Sequence, residues 1–202
     1  MQKFRRIVAA LAISGAFCVA FAAEPVTGTF TDTRDGKTYK TVKIGNLTWM
    51  AENLNTKTDD SWCYNEDESN CEKYGRLYKW KEALEVCPEG WHLSSRNDWS
   101  NLITKMAGYK EAGVKLKTES GWEQNGNGAD NYGFSALPGG YRNNSGDFSN
   151  AGNKGYWWTS ICPNKTQAYY RSMSTDKAVR EETVSVDESK KVSFFSVRCV
   201  ED

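Results

Sequence analysis

Asp130-Asn131-Tyr132-Gly133-Phe134-Ser135-Ala136-Leu137-Pro138-Gly139-Gly140-Tyr141-Arg142-Asn143, answered near the C-terminus by Phe195-Ser196-Val197-Arg198-Cys199, decides the fold class. Polar turn residues, a double glycine and aromatics alternate here in an order that a helix does not tolerate. The stretch reads as strand, tight turn, strand, with the glycines supplying backbone angles that other residues avoid.

The same texture continues on both sides. Upstream, Thr29 to Thr33 and Thr38 to Ile44 are rich in Thr, Tyr, Val and Ile and are separated by Asp35-Gly36, a hairpin signal. A second turn at Gly45-Asn46 leads into Leu47 to Met50, so the opening predicts a small antiparallel meander. From Gly113 onward short apolar pieces alternate with Gly, Asn, Ser and Asp: Val114–Leu116, Phe134–Leu137, Tyr156–Ser160, Ala168–Met173, Val184–Val186 and Val192–Val200.

Two helices are expected between these regions. Leu77, Trp80, Ala83 and Leu84 recur at helical spacing, and Pro88 ends that helix near Val86 or Cys87. Ser95 and Asp98 form a capping-box pair ahead of Trp99, Leu102, Ile103 and Met106, with Gly108 as the stop. Two helices in a strand-rich, loop-rich chain predict an α+β domain with short antiparallel strands and long loops.

The chain of 202 residues opens with Lys3, Arg5 and Arg6, an apolar run from Ile7 to Phe21, and Ala20-Phe21-Ala22. That is the pattern of a secretory signal peptide over residues 1–22. Residues 23–202 then form a single domain. No later segment approaches the roughly 20 apolar residues that a membrane-spanning helix needs. Without the three leading cations, 23 basic face 26 acidic residues. This balance argues against nucleic acid, which demands a concentrated basic face. The expected location is secreted or cell envelope.

Cys63, Cys71, Cys87, Cys162 and Cys199 remain after export, and in an oxidising compartment one of five is left over. Cys63 and Cys71 flank the turn-rich Tyr64 to Asn70, which a local bridge would close. Spacing by itself leaves the pairing open.

Several longer motifs occur in order: Asp35-Gly36-Lys37-Thr38-Tyr39, Trp49-Met50-Ala51-Glu52-Asn53-Leu54, Tyr74-Gly75-Arg76-Leu77-Tyr78, Cys87 to Leu93, Gly133 to Arg142, Tyr156-Trp157-Trp158 and Val197-Arg198-Cys199-Val200. Together they resemble the Fibrobacter succinogenes major paralogous domain, an exported bacterial family, from Thr29 to Asp202. That family in turn resembles the C-type lectin-like fold of formylglycine-generating, sulfatase-modifying proteins. The resemblance implies a bridge from Cys87 to Cys199 and a local one from Cys63 to Cys71, leaving Cys162 free as a candidate dimer link. Ser94, Phe195 and Ile161-Cys162 depart from the family's usual residues.

Chemistry is sparse. His92, the single histidine, is expected to be a packed structural residue and not a catalytic one. Asn125, Asn127, Asp130, Asn131, Asn143, Asn144 and Asp147 could offer oxygens to calcium, but they follow no spaced cation-binding motif and read as turns. No metal, cofactor or catalytic residue is assigned. Eight Trp and ten Tyr are a heavy aromatic load. Trp122, Tyr132, Tyr141, Asn143, Tyr156 and Trp157 lie among polar loops and are the candidate ligand residues, since a sugar asks for a ring to stack on and fixed polar groups. Of the adjacent Trp157 and Trp158, one is expected in the core and the other exposed. The expected function is a non-catalytic exported binding domain for plant or envelope glycans. The alternatives are a structural or protein-interaction module of the envelope, and a cysteine-dependent oxidase acting through Cys162 and Cys199.

Overall fold

The computed structural model describes residues 25–176, 178–185 and 192–202; the signal peptide expected over 1–22 lies outside them. The chain runs β1 (Val26–Thr31), β2 (Thr38–Ile44), β3 (Leu47–Met50), β4 (Ser61–Trp62), α1 (Glu68–Tyr74), β5 (Leu77–Tyr78), α2 (Trp80–Ala83), β6 (Trp91–Leu93), α3 (Arg96–Lys105) and α4 (Tyr109–Leu116). It continues through β7 (Gly139–Asn143), β8 (Phe148–Ala151), β9 (Gly155–Trp158), β10 (Gln167–Met173), β11 (Val179–Ser185), β12 (Ser193–Ser196) and β13 (Cys199–Glu201).

The strands form two sheets. The first is antiparallel with order β1-β2-β3-β13-β6, and the second has order β11-β10-β9-β7-β12-β5-β4 with β8 hydrogen-bonded to β7. The C-terminal strand β13 is thus inserted between β3 and β6, pairing Val200 with both Trp49 and His92. Segments far apart in sequence thus become neighbours within one sheet.

The expectation of an α+β, C-type lectin-like domain with two helices is corrected by this architecture. The described chain is mostly β, with four α-helices. The expected first helix begins too early, because Leu77 and Tyr78 are claimed by strand pairing with β4 and β12. Only the single turn of α2 remains of it. The segment read as a disulfide-closed loop ends in α1, whose first turn is capped by Asp67 accepting from the Ser69 amide. Val114–Leu116, read as a strand piece, belongs to α4. Gly108 does stop α3, but its carbonyl then accepts from the Glu111 and Ala112 amides and starts α4.

The opening stretch also differs from its reading. Residues 130–138 are turn and loop with a single β-bridge from Ala136 to Lys117, and the strand begins only at Gly139. Gly140 has φ 66°, and a Cβ there would lie 2.5 Å from the Ser149 carbonyl, so the β7–β8 hairpin packs only around a bare backbone. Other local signals hold. Both predicted turns of the meander are present, and the Ser95/Asp98 capping box opens α3.

Trp157 and Trp158 do point to opposite faces, as adjacent strand residues must. Both are nonetheless fully buried, because apolar layers cover the sheet on each side. Trp157 joins Trp49, Trp99 and Phe134 in one cluster, while Trp158 packs with Tyr78, Tyr156 and Phe195 in another. The same alternation splits Trp49 from Met50 and Cys199 from Val200. Two disulfides close the fold, Cys63–Cys71 and Cys87–Cys199. Among the described residues Cys162 is the free cysteine, and it is exposed.

Candidate functional site

Where β12 hands over to β13, Arg198 enters the interior. Its side chain is fully buried and has no carboxylate within ion-pair distance among the described residues. It is held instead by neutral oxygens. Nη1 donates to the Phe134 carbonyl at 2.6 Å and the Met50 carbonyl at 3.0 Å, and Nη2 and Nε donate to Asn53 Oδ1 at 2.9 and 3.2 Å. The guanidinium carbon lies 4.4 Å from the centre of the Phe134 ring. Desolvation pulls its pKa down to about 9, opposed by the more distant Asp130 and Glu52. The residue therefore remains a cation at neutral pH.

Asn53 completes the arrangement. Its Oδ1 also accepts from Trp157 Nε1 at 2.8 Å, and its Nδ2 donates to the Tyr74 carbonyl at 2.8 Å. One buried amide thus connects the β12–β13 junction, β9 and the end of α1. Neither Asn53 nor Arg198 stood out as functional in the sequence, because their meeting spans 145 positions.

Asn53 also lines an open cleft of about 320 Å³. Its lining comes from four segments: Lys37 with Thr38–Lys40 of β2, Ala51–Asn53 with Asn55, Cys71–Gly75 at the end of α1, and Ser135 with Leu137. Each segment is fixed locally. Lys37 Nζ donates to the Asn55 carbonyl at 2.5 Å, the Asn55 amide donates to Tyr39 Oη at 3.1 Å, and the Lys40 amide donates to Glu52 Oε2 at 2.7 Å. Burial raises the Tyr39 pKa, so its phenol stays neutral. Gly75 has φ 73°, and a Cβ there would stand 2.7 Å from the Asn53 Cβ, so the α1 end can close on the Asn53 loop only as glycine. Asn55 is buried, its Oδ1 is shielded from solvent, and among the described residues that oxygen accepts no hydrogen bond.

Residues 42–201 match the model of the Fibrobacter succinogenes major domain. The chain belongs to that family. The match starts at Val42, so Asn53, Asn55, Tyr74, Gly75, Ser135 and Arg198 of the Fibrobacter succinogenes major domain lie inside it, and Lys37–Lys40 precede it. No curated protein and no solved structure matches the chain.

The six aromatic and polar residues singled out from sequence are distributed differently. Trp122 and Trp157 are buried, with Trp122 Nε1 donating to the Ala136 carbonyl at 3.1 Å beneath the Lys117 ammonium. Tyr156 stacks on Phe195 at 5.1 Å, its hydroxyl accepts from Asn150, and the half-buried Tyr141 meets it edge-on at 5.4 Å. Tyr132 is half-buried against the first cluster. Asn143 closes the β7–β8 turn with Asp147. None of the six lines the cleft. The signal that could have found it is the convergence of the Asp35–Tyr39, Trp49–Leu54, Tyr74–Tyr78 and Gly133–Arg142 motifs, which the fold brings to one place.

The loop residues weighed for calcium are engaged in turns. Asp130 accepts from the Ser135 amide and hydroxyl, and Asn127 Oδ1 accepts from the Trp122 amide. Cys63, Glu68 and Cys71 bring ligand-type atoms within 4.8 Å of one another, but the two sulfurs are bonded to each other. His92 is flanked by carboxylates, with Nδ1 2.7 Å from Asp202 Oδ1 and Nε2 3.2 Å from Asp98 Oδ2. Among the described residues no helix is long and apolar enough to cross a membrane.

Proposed function

We propose that this is an exported, non-catalytic binding domain of the cell surface or secreted fraction, and that its ligand, a plant or envelope glycan, occupies the cleft between β2 and the end of α1. The observation that carries the reading is an open concavity walled by hydrogen-bonding side chains, among them Lys40, Asn53, Asn55, Lys73 and Ser135. Polar side chains held by a rigid floor are what an uncharged ring of hydroxyls requires. Two disulfides fit an oxidising compartment. A non-enzymatic role is supported by His92, whose two ring nitrogens both face carboxylates, and by Cys199, whose bond to Cys87 removes it from any thiol pair with Cys162.

The test is retention of residues 23–202 on insoluble polysaccharides together with a glycan array, with Asn55→Ala alongside. Retention that Asn55→Ala weakens is the expected result. Retention by an envelope protein and by no glycan would replace the ligand with a protein partner, and binding undisturbed by cleft variants would remove the cleft.

A further inference from the structure

The strands at the borders of the two sheets are protected in different ways. β4 has two residues, β6 has three, and β11 carries Arg180, Glu181 and Glu182. β8 has four, and its Phe148 meets the Tyr64 ring edge-on at 5.3 Å. Short length, charge and covering side chains are the means by which a strand edge avoids pairing with another chain. β1 has none of them. Its six residues, Val26-Thr27-Gly28-Thr29-Phe30-Thr31, include no charge and no proline, pair with β2 without a bulge, and are exposed at every position but Phe30. Val26 is 66% exposed, the most open large apolar side chain among the described residues.

Hydrogen bonds on β2 fix which main-chain groups of β1 are free. Thr29 lies opposite Lys40, whose amide donates to Glu52 Oε2 at 2.7 Å and whose carbonyl accepts from the Ala51 amide at 2.8 Å, both on the β3 side. Thr29 therefore exchanges no bond with β2, and its N–H and C=O, with those of Thr27 and Thr31, point outward. We propose that β1 pairs with itself: two copies of this chain join antiparallel β1 strands about a two-fold axis at Gly28, continuing one sheet into the other. Thr27 of each copy then exchanges main-chain bonds with Thr29 of the second, and Val26 lies against Phe30 of the second copy on the opposite face. The threonines meet as Thr31 and Thr38 already do within the hairpin, through Oγ1 atoms 2.9 Å apart. A slip by one residue sets Val26 and Phe30 against threonines, and a slip by two sets Val26 against buried Asp32, so the apolar pattern selects the register. The uncharged edge offers no side-chain charge to recognise a charged partner, whereas its pattern complements itself. Lys40 and Lys43 on β2 would stand three strand spacings, about 14 Å, from β2 of the second copy, beyond the screening length of about 8 Å in physiological salt. The pairing uses no residue that lines the cleft.

The experiment is sedimentation velocity on residues 23–202 carrying Cys162→Ser, which excludes a covalent link through the free thiol and leaves both disulfides in place. One short ladder is smaller than the roughly 800 Å² per partner of a stable interface, so a monomer–dimer equilibrium with a Kd of about 0.1 mM is expected across concentrations spanning that value. Val26→Lys puts a charge on an exposed site opposite Phe30, and Thr29→Pro removes an outward N–H without touching the β1–β2 ladder. Each should weaken dimerisation about tenfold or more and leave the thermal midpoint of the dilute monomer unchanged. Ile161→Lys, at an apolar side chain 38% exposed elsewhere, should dimerise like the parent. Gly28→Cys should cross-link to its own copy on mild oxidation, because facing residues of a non-bonded antiparallel pair have Cα atoms about 4.5 Å apart, within reach of a disulfide, and Thr29→Cys should not. A monomer at every concentration would overturn the proposal, as would dimerisation unaffected by both Val26→Lys and Thr29→Pro. An equal loss in Ile161→Lys would overturn it as unspecific apolar association. Cross-linking at Thr29 in place of Gly28 would overturn the pairing about Gly28.

Discussion

Replacing Asn53 with alanine should damage the fold more than any exposed substitution, and the cost follows from its partners. Its Oδ1 accepts from Trp157 Nε1, Arg198 Nη2 and Arg198 Nε, and its Nδ2 satisfies the Tyr74 carbonyl. Alanine leaves a buried indole N–H orphaned, at about 1–3 kcal/mol, and strips a fully buried guanidinium of two bonds worth about 1.5–3 kcal/mol for a charged group. The combined loss is about 2.5–6 kcal/mol, a large share of the roughly 5–15 kcal/mol by which domains are stable. In a domain of this size that corresponds to a fall in melting temperature of about 5–24 °C. Asn53→Asp separates the hydrogen-bonding role from the side chain's bulk. It returns the acceptor and adds a counter-charge for Arg198 while losing the donor to Tyr74, so it should cost less than half as much. Guanidinium unfolding followed by tryptophan fluorescence, with disulfides intact, reads both. A loss below about 1 kcal/mol for Asn53→Ala, or equal losses for both variants, would refute the claim that this amide holds the buried charge.

Three further outcomes test the surrounding fold. Removing the Cys87–Cys199 bridge, which spans 112 positions, should cost about 5 kcal/mol by chain entropy, against about 2.5 kcal/mol for Cys63–Cys71, which spans 8; denaturant midpoints of the two Cys→Ser pairs in the opposite order would contradict this. Asp32 is buried and accepts from Arg34 and Thr56, and the Arg34 hydrogen bond lowers its pKa against the opposing effect of burial. Its contribution is thus present above an unfolded-state pKa of about 3.9 and disappears as pH falls through the folded value, so Asp32→Asn should be less stable at neutral pH yet lose less stability on acidification; an unchanged acid limb in pH-dependent melts would count against it. Gly140→Ala should cost several times more than Gly36→Ala. Both glycines have positive φ, but a Cβ at 140 meets backbone at 2.5 Å and one at 36 meets nothing within 4 Å. Equal shifts in thermal melts would show that backbone angle alone governs both.

What the sequence disclosed was local. The meander turns at Gly36 and Gly45 and the Ser95 capping box are set by a few adjacent residues, and all are present. Period-two alternation likewise placed Trp157 and Trp158 on opposite faces. That both are buried depends on layers contributed by distant segments, which no local pattern encodes. Leu77 and Tyr78 carry helical spacing but are taken by β-pairing with residues 15 or more positions away, where tertiary contacts override propensity. The aromatic residues chosen as ligand contacts lie apart from the cleft for a related reason. In a chain with two apolar clusters, most Trp and Tyr fill the interior, and the open concavity is walled by Lys, Asn and Glu together with Tyr39 and Tyr74. Arg198 was visible as part of a motif, but its depth, and its pairing with Asn53, emerge only when β13 inserts between β3 and β6.

The location of the ligand is the claim on which the functional account depends. Amide-resolved NMR of the folded domain titrated with a retained oligosaccharide measures it directly. Shifts concentrated at Lys40, Asn55, Lys73, Gly75 and Ser135 are the predicted result; shifts centred on the loops around Tyr132, Tyr141 and Asn143, with the cleft unperturbed, would contradict it.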